Sequence, residues 1–168
     1  MYRKILVLVD DRKVTQSAIG QAIALAQVHH AAIFFYGVLP HHEYPTLPQA
    51  TKEASHLLLA ASTWAERCGV HNQWNLESFS SDAHTVADAA VKQCCDLIVV
   101  GSDEQIAGIQ PSSGIIFSDL ISAAAVPVLM CRECPILPQR CSHRPRHFAD
   151  NFLIRREVGT RKLDEAND

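Results

Sequence analysis

DLIVVGS, residues 96–102, is a run of four apolar residues between an aspartate and a glycine-serine pair. Short continuous runs rich in β-branched residues are typical of strands that are buried on both faces of a parallel sheet. RKILVLV, residues 3–9, is a second such run, and it ends at Asp10 and Asp11. The two segments predict two buried strands with polar carboxyl ends.

Strands and helices are predicted to alternate outward from these two segments. Helical periodicity and capping residues indicate helices over 14–28, from near Gln49 to Gly69, from Ser80–Asp82 to Cys94, and over 115–125. Further strands are expected at 32–39, 73–79 and 126–131, and Pro127 favours an edge position for the last of these. This order predicts an α/β fold with a doubly wound, mainly parallel five-stranded sheet and helices on both faces.

The composition is that of an ordinary globular domain. The chain has 168 residues, of which 48% are hydrophobic and 20% charged, with a formal net charge of -3. These values give no nucleic-acid signature, and no run approaches the roughly 18 apolar residues of a membrane span. The N-terminus lacks the pattern of an export signal. We therefore expect a soluble cytoplasmic protein with neither a membrane nor a nucleic-acid partner.

The ends of the first and fourth strands are the candidate binding region. Doubly wound sheets bind ligands beyond the carboxyl ends of their strands, where the winding reverses direction. If it reverses between these two strands, Asp10 lies beside Gly101 and Ser102. Glycine there lets backbone N–H groups approach an anion, although a purely structural turn explains the same residues.

Four segments together resemble the universal stress protein family. They are MYRKILVLVDD, GVLP after the second strand, DLIVVGS, and VPVLMCR, and the resemblance covers residues 1–132. It implies a Rossmann-like, adenine nucleotide alpha hydrolase-like domain and a homodimer formed through the strand at 126–131. Residues 133–168 are then a C-terminal extension that is partly disordered or packed on the body.

Nucleotide-binding members of that family have a loop of the form G-x2-G-x9-G-[ST], from which this chain departs. Gly101 and Gly114 match, whereas Glu104 stands at the second glycine and Ile115 at the hydroxyl position. Glu104 adds negative charge where polyphosphate would lie, and Ile115 removes a donor. Both changes oppose ATP.

The base and ribose end of the crevice is better preserved. Asp10 and Val38 match the positions to which the resemblance assigns recognition of that part of the nucleotide, although a capping carboxylate and a core valine explain them as well. The predicted crevice suits a less charged adenosine ligand, or none, better than ATP. Its residues are Asp10, Val38, Gly101, Ser102 and Gly114.

The preferred function is that of a non-catalytic stress-response protein acting through dimerisation and through ligand or partner binding. No local constellation supplies a nucleophile with a base, paired carboxylates in a cleft, or an open metal site. The alternative is an ATP-binding stress protein with slow hydrolysis or phosphate transfer, in which Asp10 and Asp11, or Glu104, hold magnesium.

The C-terminal extension supplies the third hypothesis. Residues 132–168 contain 8 Lys or Arg and 6 Asp or Glu, whereas the preceding residues contain 7 and 12. The series C-x2-C-x6-C-x-H-x3-H begins at Cys131 and runs into the extension, and its soft ligands suit one tetrahedral zinc in an interaction module. Unliganded thiols are the preferred interpretation, and a redox pair is another. The candidate ligands are Cys131, Cys134, Cys141, His143 and His147.

Overall fold

The computed structural model describes residues 1–10, 12–38, 47–77, 83–102 and 117–132. Strands and helices alternate within them, as the sequence predicts. The elements are β1 (Lys4–Val9), α1 (Lys13–His29), β2 (Ala32–Val38), α2 (Leu47–Arg67), β3 (Asn72–Glu77), α3 (Ala83–Lys92), β4 (Leu97–Gly101), α4 (Phe117–Ala123) and β5 (Val128–Cys131).

The five strands form one parallel sheet in the order β3-β2-β1-β4-β5. Ile5 of β1 is level with Ile33 of β2 on one side and with Leu97 of β4 on the other. The chain thus winds outward from β1 in one direction and then reverses, so that the point of reversal lies between β1 and β4. The doubly wound fold is confirmed, and among the described residues β5 is an edge strand.

Hydrophobic cores lie on both faces of the sheet. The strand alternation sends Ile5 and Val7 of β1 to the face covered by α1 and α2, and Leu6 and Leu8 to the face with α3 and α4. Every residue of β1 after Lys4 is therefore buried, which explains its continuous apolar run.

The ends of several elements follow from local chemistry. Gly69 has φ +72° after α2, the left-handed conformation expected of a C-terminal glycine. β5 begins at Val128 rather than at residue 126, because Pro127 has no N–H to donate and contributes only its carbonyl, to Ile98. The predicted helix extends to Cys94, but α3 ends at Lys92, and Cys94 is exposed with φ 53°.

None of the helices in the described ranges combines the length and apolar character needed to cross a bilayer.

Candidate functional site

The carboxyl ends of β1 and β4 meet at the point where the winding reverses. Asp10 follows the last residue of β1, and its side chain is only 4% exposed. Gly101 is the last residue of β4. The structure therefore brings together the two strand ends that the sequence singled out.

Arg12 joins these strand ends. Its Nε donates to Asp10 Oδ2 at 2.7 Å, and its Nη2 lies 2.5 Å from the same oxygen. Nη2 also donates to the carbonyl oxygen of Gly101 at 3.0 Å. The Arg12 side chain is 10% exposed, so the guanidinium is almost fully enclosed between the strands. Arg12 thus lies in the crevice beside the predicted binding residues.

The second carboxylate oxygen of Asp10 is engaged by the start of α1. Oδ1 accepts the backbone N–H of Arg12 at 3.1 Å and a hydrogen bond from the Thr15 hydroxyl. Both oxygens therefore have donors within the protein. A paired and hydrogen-bonded carboxylate is a stable arrangement at a buried position, whereas removing one partner of such a pair costs about 3–5 kcal/mol.

Gly101 is needed for close packing. A Cβ at this position would lie 2.9 Å from Val14 Cγ1 and 3.0 Å from the Val14 carbonyl carbon. The absence of a side chain lets the first turn of α1 approach the end of β4. The glycine that the sequence assigned to an anion site therefore has a structural role in which its carbonyl accepts from Arg12.

Ser102 and Val38 also serve the fold. The backbone N–H of Ser102 donates to the Cys131 carbonyl at 2.8 Å, which continues the pairing of β4 with β5. Val38 ends β2 and is buried in the core that contains Leu8 and Tyr36. Because Val9 pairs with Gly37, Val38 lies level with Asp10 on the neighbouring strand. The structure thus places both residues beside the crevice.

The remaining residues of the predicted phosphate loop, Glu104, Gly114 and Ile115, lie outside the described part of the chain. The zinc candidates Cys134, Cys141, His143 and His147 lie outside it as well. Within the described ranges, no three His, Cys, Asp or Glu side chains come together in a way that could hold a metal ion.

Cys131, the one zinc candidate in the described ranges, is buried at the end of β5. Burial raises the pKa of its thiol above the ordinary value of 9.0. Because zinc binds the thiolate, this environment opposes metal binding unless the metal itself displaces the proton. The zinc series stays a prediction.

Arg12 and Thr15 are residues of this site that were not predicted from the sequence. An arginine two residues after a strand-end aspartate, with a hydroxyl in the first turn of the next helix, was the available signal. The pattern is informative only if the chain turns back over the strand end, as it does here.

Known structures share this architecture. A universal stress protein from Archaeoglobus fulgidus is 19% identical, with a TM-score of 0.64 over 78% of this chain and 99% of that one. A family member from Burkholderia pseudomallei is 24% identical, with a TM-score of 0.60 over 77% and 95%. An Archaeoglobus fulgidus universal stress protein in complex with dAMP is 20% identical, with a TM-score of 0.60 over 77% and 98%.

Because these structures are less than 25% identical to this chain, their similarity shows the fold alone. No curated protein matches the chain at a significant level. The family assignment comes from the sequence itself, because the model of the universal stress protein family matches residues 1–132. That match spans both cores, the reversal point and all five strands of the sheet. The chain belongs to the universal stress protein family.

Proposed function

We propose that this chain is a non-catalytic cytoplasmic stress-response protein that acts by dimerising and by binding a ligand or partner, and that its adenine-nucleotide crevice does not hold ATP tightly. The observation that carries this proposal is the bridge from Asp10 through Arg12 to Gly101. It lies where a ligand of a doubly wound sheet is expected.

The bridge opposes recognition of the base and ribose. A nucleotide that used the Asp10 carboxylate would have to compete with the donors already on both of its oxygens. Displacing Arg12 would leave an enclosed guanidinium without its counter-ion, and charge-assisted hydrogen bonds are roughly twice as strong as neutral ones. Ligand binding is therefore penalised by the loss of an internal ion pair.

The phosphate end is weakened as well. The Gly101 carbonyl and the Ser102 N–H both make hydrogen bonds within the protein. In the sequence that follows, Glu104 and Ile115 replace a glycine and a hydroxyl donor of the family loop. A triphosphate, which depends most on this end, loses more binding energy than adenosine or a monophosphate.

Family members with bound monophosphates support an adenosine-type ligand. One structural neighbour is a complex with dAMP, and another universal stress protein, 16% identical to this chain, is a complex with cAMP. Such ligands carry less negative charge than ATP does. We infer that any nucleotide that binds here is of this less charged kind.

Dimerisation through β5 is the second part of the proposal. Among the described strands β5 lies at the edge of the sheet, and its residues Leu129 and Met130, which project from opposite faces, are 37% and 41% exposed. An exposed apolar edge strand favours pairing with another strand, and a second copy supplies an identical one. Ile121 of α4 is also exposed.

The test is isothermal titration of the nucleotide-stripped full chain with ATP, ADP and AMP in the presence of magnesium. Mass spectrometry of the purified protein first establishes whether a nucleotide is carried over. We expect no binding of ATP at micromolar concentrations, and AMP binding no weaker than ATP binding. Tight ATP binding would contradict the proposal.

A measurement of phosphate release from magnesium-ATP distinguishes the enzyme alternative from the non-catalytic proposal. We expect release at the level of a protein-free control. Sustained turnover that falls in the Glu104→Gly variant would establish the rival function, in which Glu104 holds magnesium. Gain of ATP binding in that variant, without turnover, would instead support a lost phosphate site.

A further inference from the structure

The outer edge of β3 presents main-chain groups to a potential partner. Within the described residues β3 pairs with β2 alone, and Ile33 N–H donates to the His71 carbonyl at 2.9 Å. In a parallel ladder this register turns the main-chain groups of Gln73 and Asn75 toward β2. Those of the alternate residues, including Trp74, therefore point away from the sheet.

Two adjoining cavities run along this edge and share Phe34, Asn75 and Gln93. Their volumes are about 680 Å³ and about 240 Å³. The smaller one lies between β3 and α3, on a floor that includes Tyr36. We call the two cavities together with the outer edge of β3 (Asn72–Glu77) the β3 groove.

The β3 groove is acidic. Its lining includes the carboxylates of Glu66, Glu77 and Asp88 and the ammonium of Lys92. The ammonium of Lys4 also lies close, since its Nζ donates to Gln93 Oε1 at 3.1 Å, so the three carboxylates outnumber the two ammonium groups. Trp74 also lines it and is 43% exposed, whereas the other tryptophan, Trp64, is buried. An exposed indole face attracts Lys and Arg side chains, with a gain of about 0.5–1 kcal/mol at exposed sites. Charge and ring together favour a cationic ligand.

Asn72 offers an acceptor that lacks a donor. Its Nδ2 donates to the carbonyls of Ser62 and Val70 at 3.3 and 3.4 Å, which fixes the orientation of the amide. Its Oδ1 is buried and accepts no hydrogen bond from the described residues. A buried acceptor left in this state costs about 1–3 kcal/mol. This oxygen is enclosed by the chain itself, so a partner segment would gain its affinity from the main-chain edge, the carboxylates and Trp74 rather than from this acceptor.

We propose that the β3 groove binds an extended, cationic segment of a partner protein, which pairs with β3 and places Lys or Arg side chains among Glu66, Glu77 and Asp88. Main-chain pairing would supply affinity, and the carboxylates and Trp74 would supply specificity. A second copy of this chain fits less well, because its own β3 would bring the same carboxylates against themselves. This surface is distinct from both the crevice and β5.

The test uses the full chain and a capped heptapeptide of alternating threonine and arginine, with a peptide of threonine and glutamate as its counterpart. We expect the arginine peptide to change Trp74 emission with a submillimolar dissociation constant and the glutamate peptide to have no effect. The Trp74→Phe variant identifies the signal, since Trp64 is buried.

Charge variants locate the site. Combining Glu66→Gln with Asp88→Asn is expected to weaken arginine-peptide binding about tenfold, a change of about 1.4 kcal/mol. Asp119→Asn, on an exposed residue of α4, alters the charge outside the groove and should leave binding unchanged. An equal effect of the double variant and of Asp119→Asn, or equal binding of the two peptides, would overturn the proposal.

Residue-resolved amide exchange tests the pairing itself. In the free chain the Trp74 amide should exchange quickly and those of Gln73 and Asn75 slowly, and the arginine peptide should slow exchange at Trp74. If the Trp74 amide is already protected in the free chain, the edge is occupied by the chain itself or by a second copy, and the proposal fails.

Discussion

The charge of Asp10 in the crevice is compensated by residues of the chain itself. Asp10 is retained at the strand end, yet Arg12 and Thr15 supply its donors from within the protein. Gly101 is retained too, but its missing side chain accommodates Val14. Residues that match a ligand site in type are thus engaged in holding α1 against β1 and β4.

Replacing Gly101 by alanine tests this structural role. The new Cβ would meet Val14, including its backbone, so we expect Gly101→Ala to lower the free energy of unfolding by about 1–3 kcal/mol. Urea unfolding measures the change. Gly69→Ala is the matched control, because nothing lies within 4 Å of its added Cβ and only the positive φ opposes it, at about 1 kcal/mol. A cost at Gly101 below that at Gly69 would contradict the packing argument.

Because the thiol of Cys95 is buried, we expect the free energy of unfolding to fall at alkaline pH. Burial chiefly, with smaller contributions from Asp96 and Cys94 against that of Lys4, raises the pKa of its thiol from 9.0 to about 11. Below pH 9.0 the thiol is protonated in both the folded and the unfolded chain, so its contribution to stability is fully present. Between the two values the unfolded chain releases a proton that the folded chain keeps, so stability falls by about 1.4 kcal/mol per pH unit, to a total of about 2–3 kcal/mol.

Urea unfolding at about pH 8 and about pH 10.5 measures this loss, and the Cys95→Ala variant isolates it from other groups that titrate there. The variant should lose less stability than the wild type over this range. An equal loss in both proteins would mean that Cys95 does not contribute.

At the scale of elements, the two edges of the sheet differ in chemistry. β5 carries the exposed apolar side chains of Leu129 and Met130, whereas β3 borders a polar and acidic groove. Apolar edges suit a copy of the same strand, and a charged edge suits a partner of opposite charge. The two edges therefore favour different partners.

The dimer prediction belongs to β5. Met130→Lys introduces charge at this edge, and we expect it to raise the dissociation constant of the dimer at least about tenfold, because apolar contact is lost and two copies of the charge repel. Sedimentation velocity over a concentration series measures this. Leu59→Lys, at an exposed position of α2, is the matched control and should leave the dimer intact. A monomeric wild type, or equal effects of both variants, would contradict dimerisation through β5.

The order of the elements and the reversal point were predictable from the sequence, because buried parallel strands leave continuous apolar runs such as 97–100 and 5–9. Strand ends were less predictable. The late start of β5 reflects the missing N–H of Pro127, and the exposure of Cys94 reflects a helix that ends at Lys92. Helical periodicity alone does not specify where a helix stops.

At the scale of the whole molecule, the position of the candidate site was predictable from the sequence, but the internal contacts that occupy it were not. The strand-end rule predicted that Asp10 and Gly101 lie side by side, and the pairing of β1 with β4 places them so. The role of Arg12 depends on a turn that carries its guanidinium back across two strands, and the role of Gly101 on its distance to Val14. Both roles depend on contacts in three dimensions, which the spacing of residues indicates only when the path of the chain over the strand end is known.

The most direct test of a closed crevice is isothermal titration of adenosine and AMP into the wild type and the Arg12→Ser variant. Lys13→Ser is the control, because it removes one positive charge from the neighbouring residue. Serine is a favoured residue at the start of a helix, so the variant retains that part of α1. If the bridge closes the crevice, Arg12→Ser binds at least about tenfold more tightly than the wild type and Lys13→Ser does not. Micromolar binding by the wild type that Arg12→Ser abolishes would contradict the account, because Arg12 would then be a ligand-binding residue.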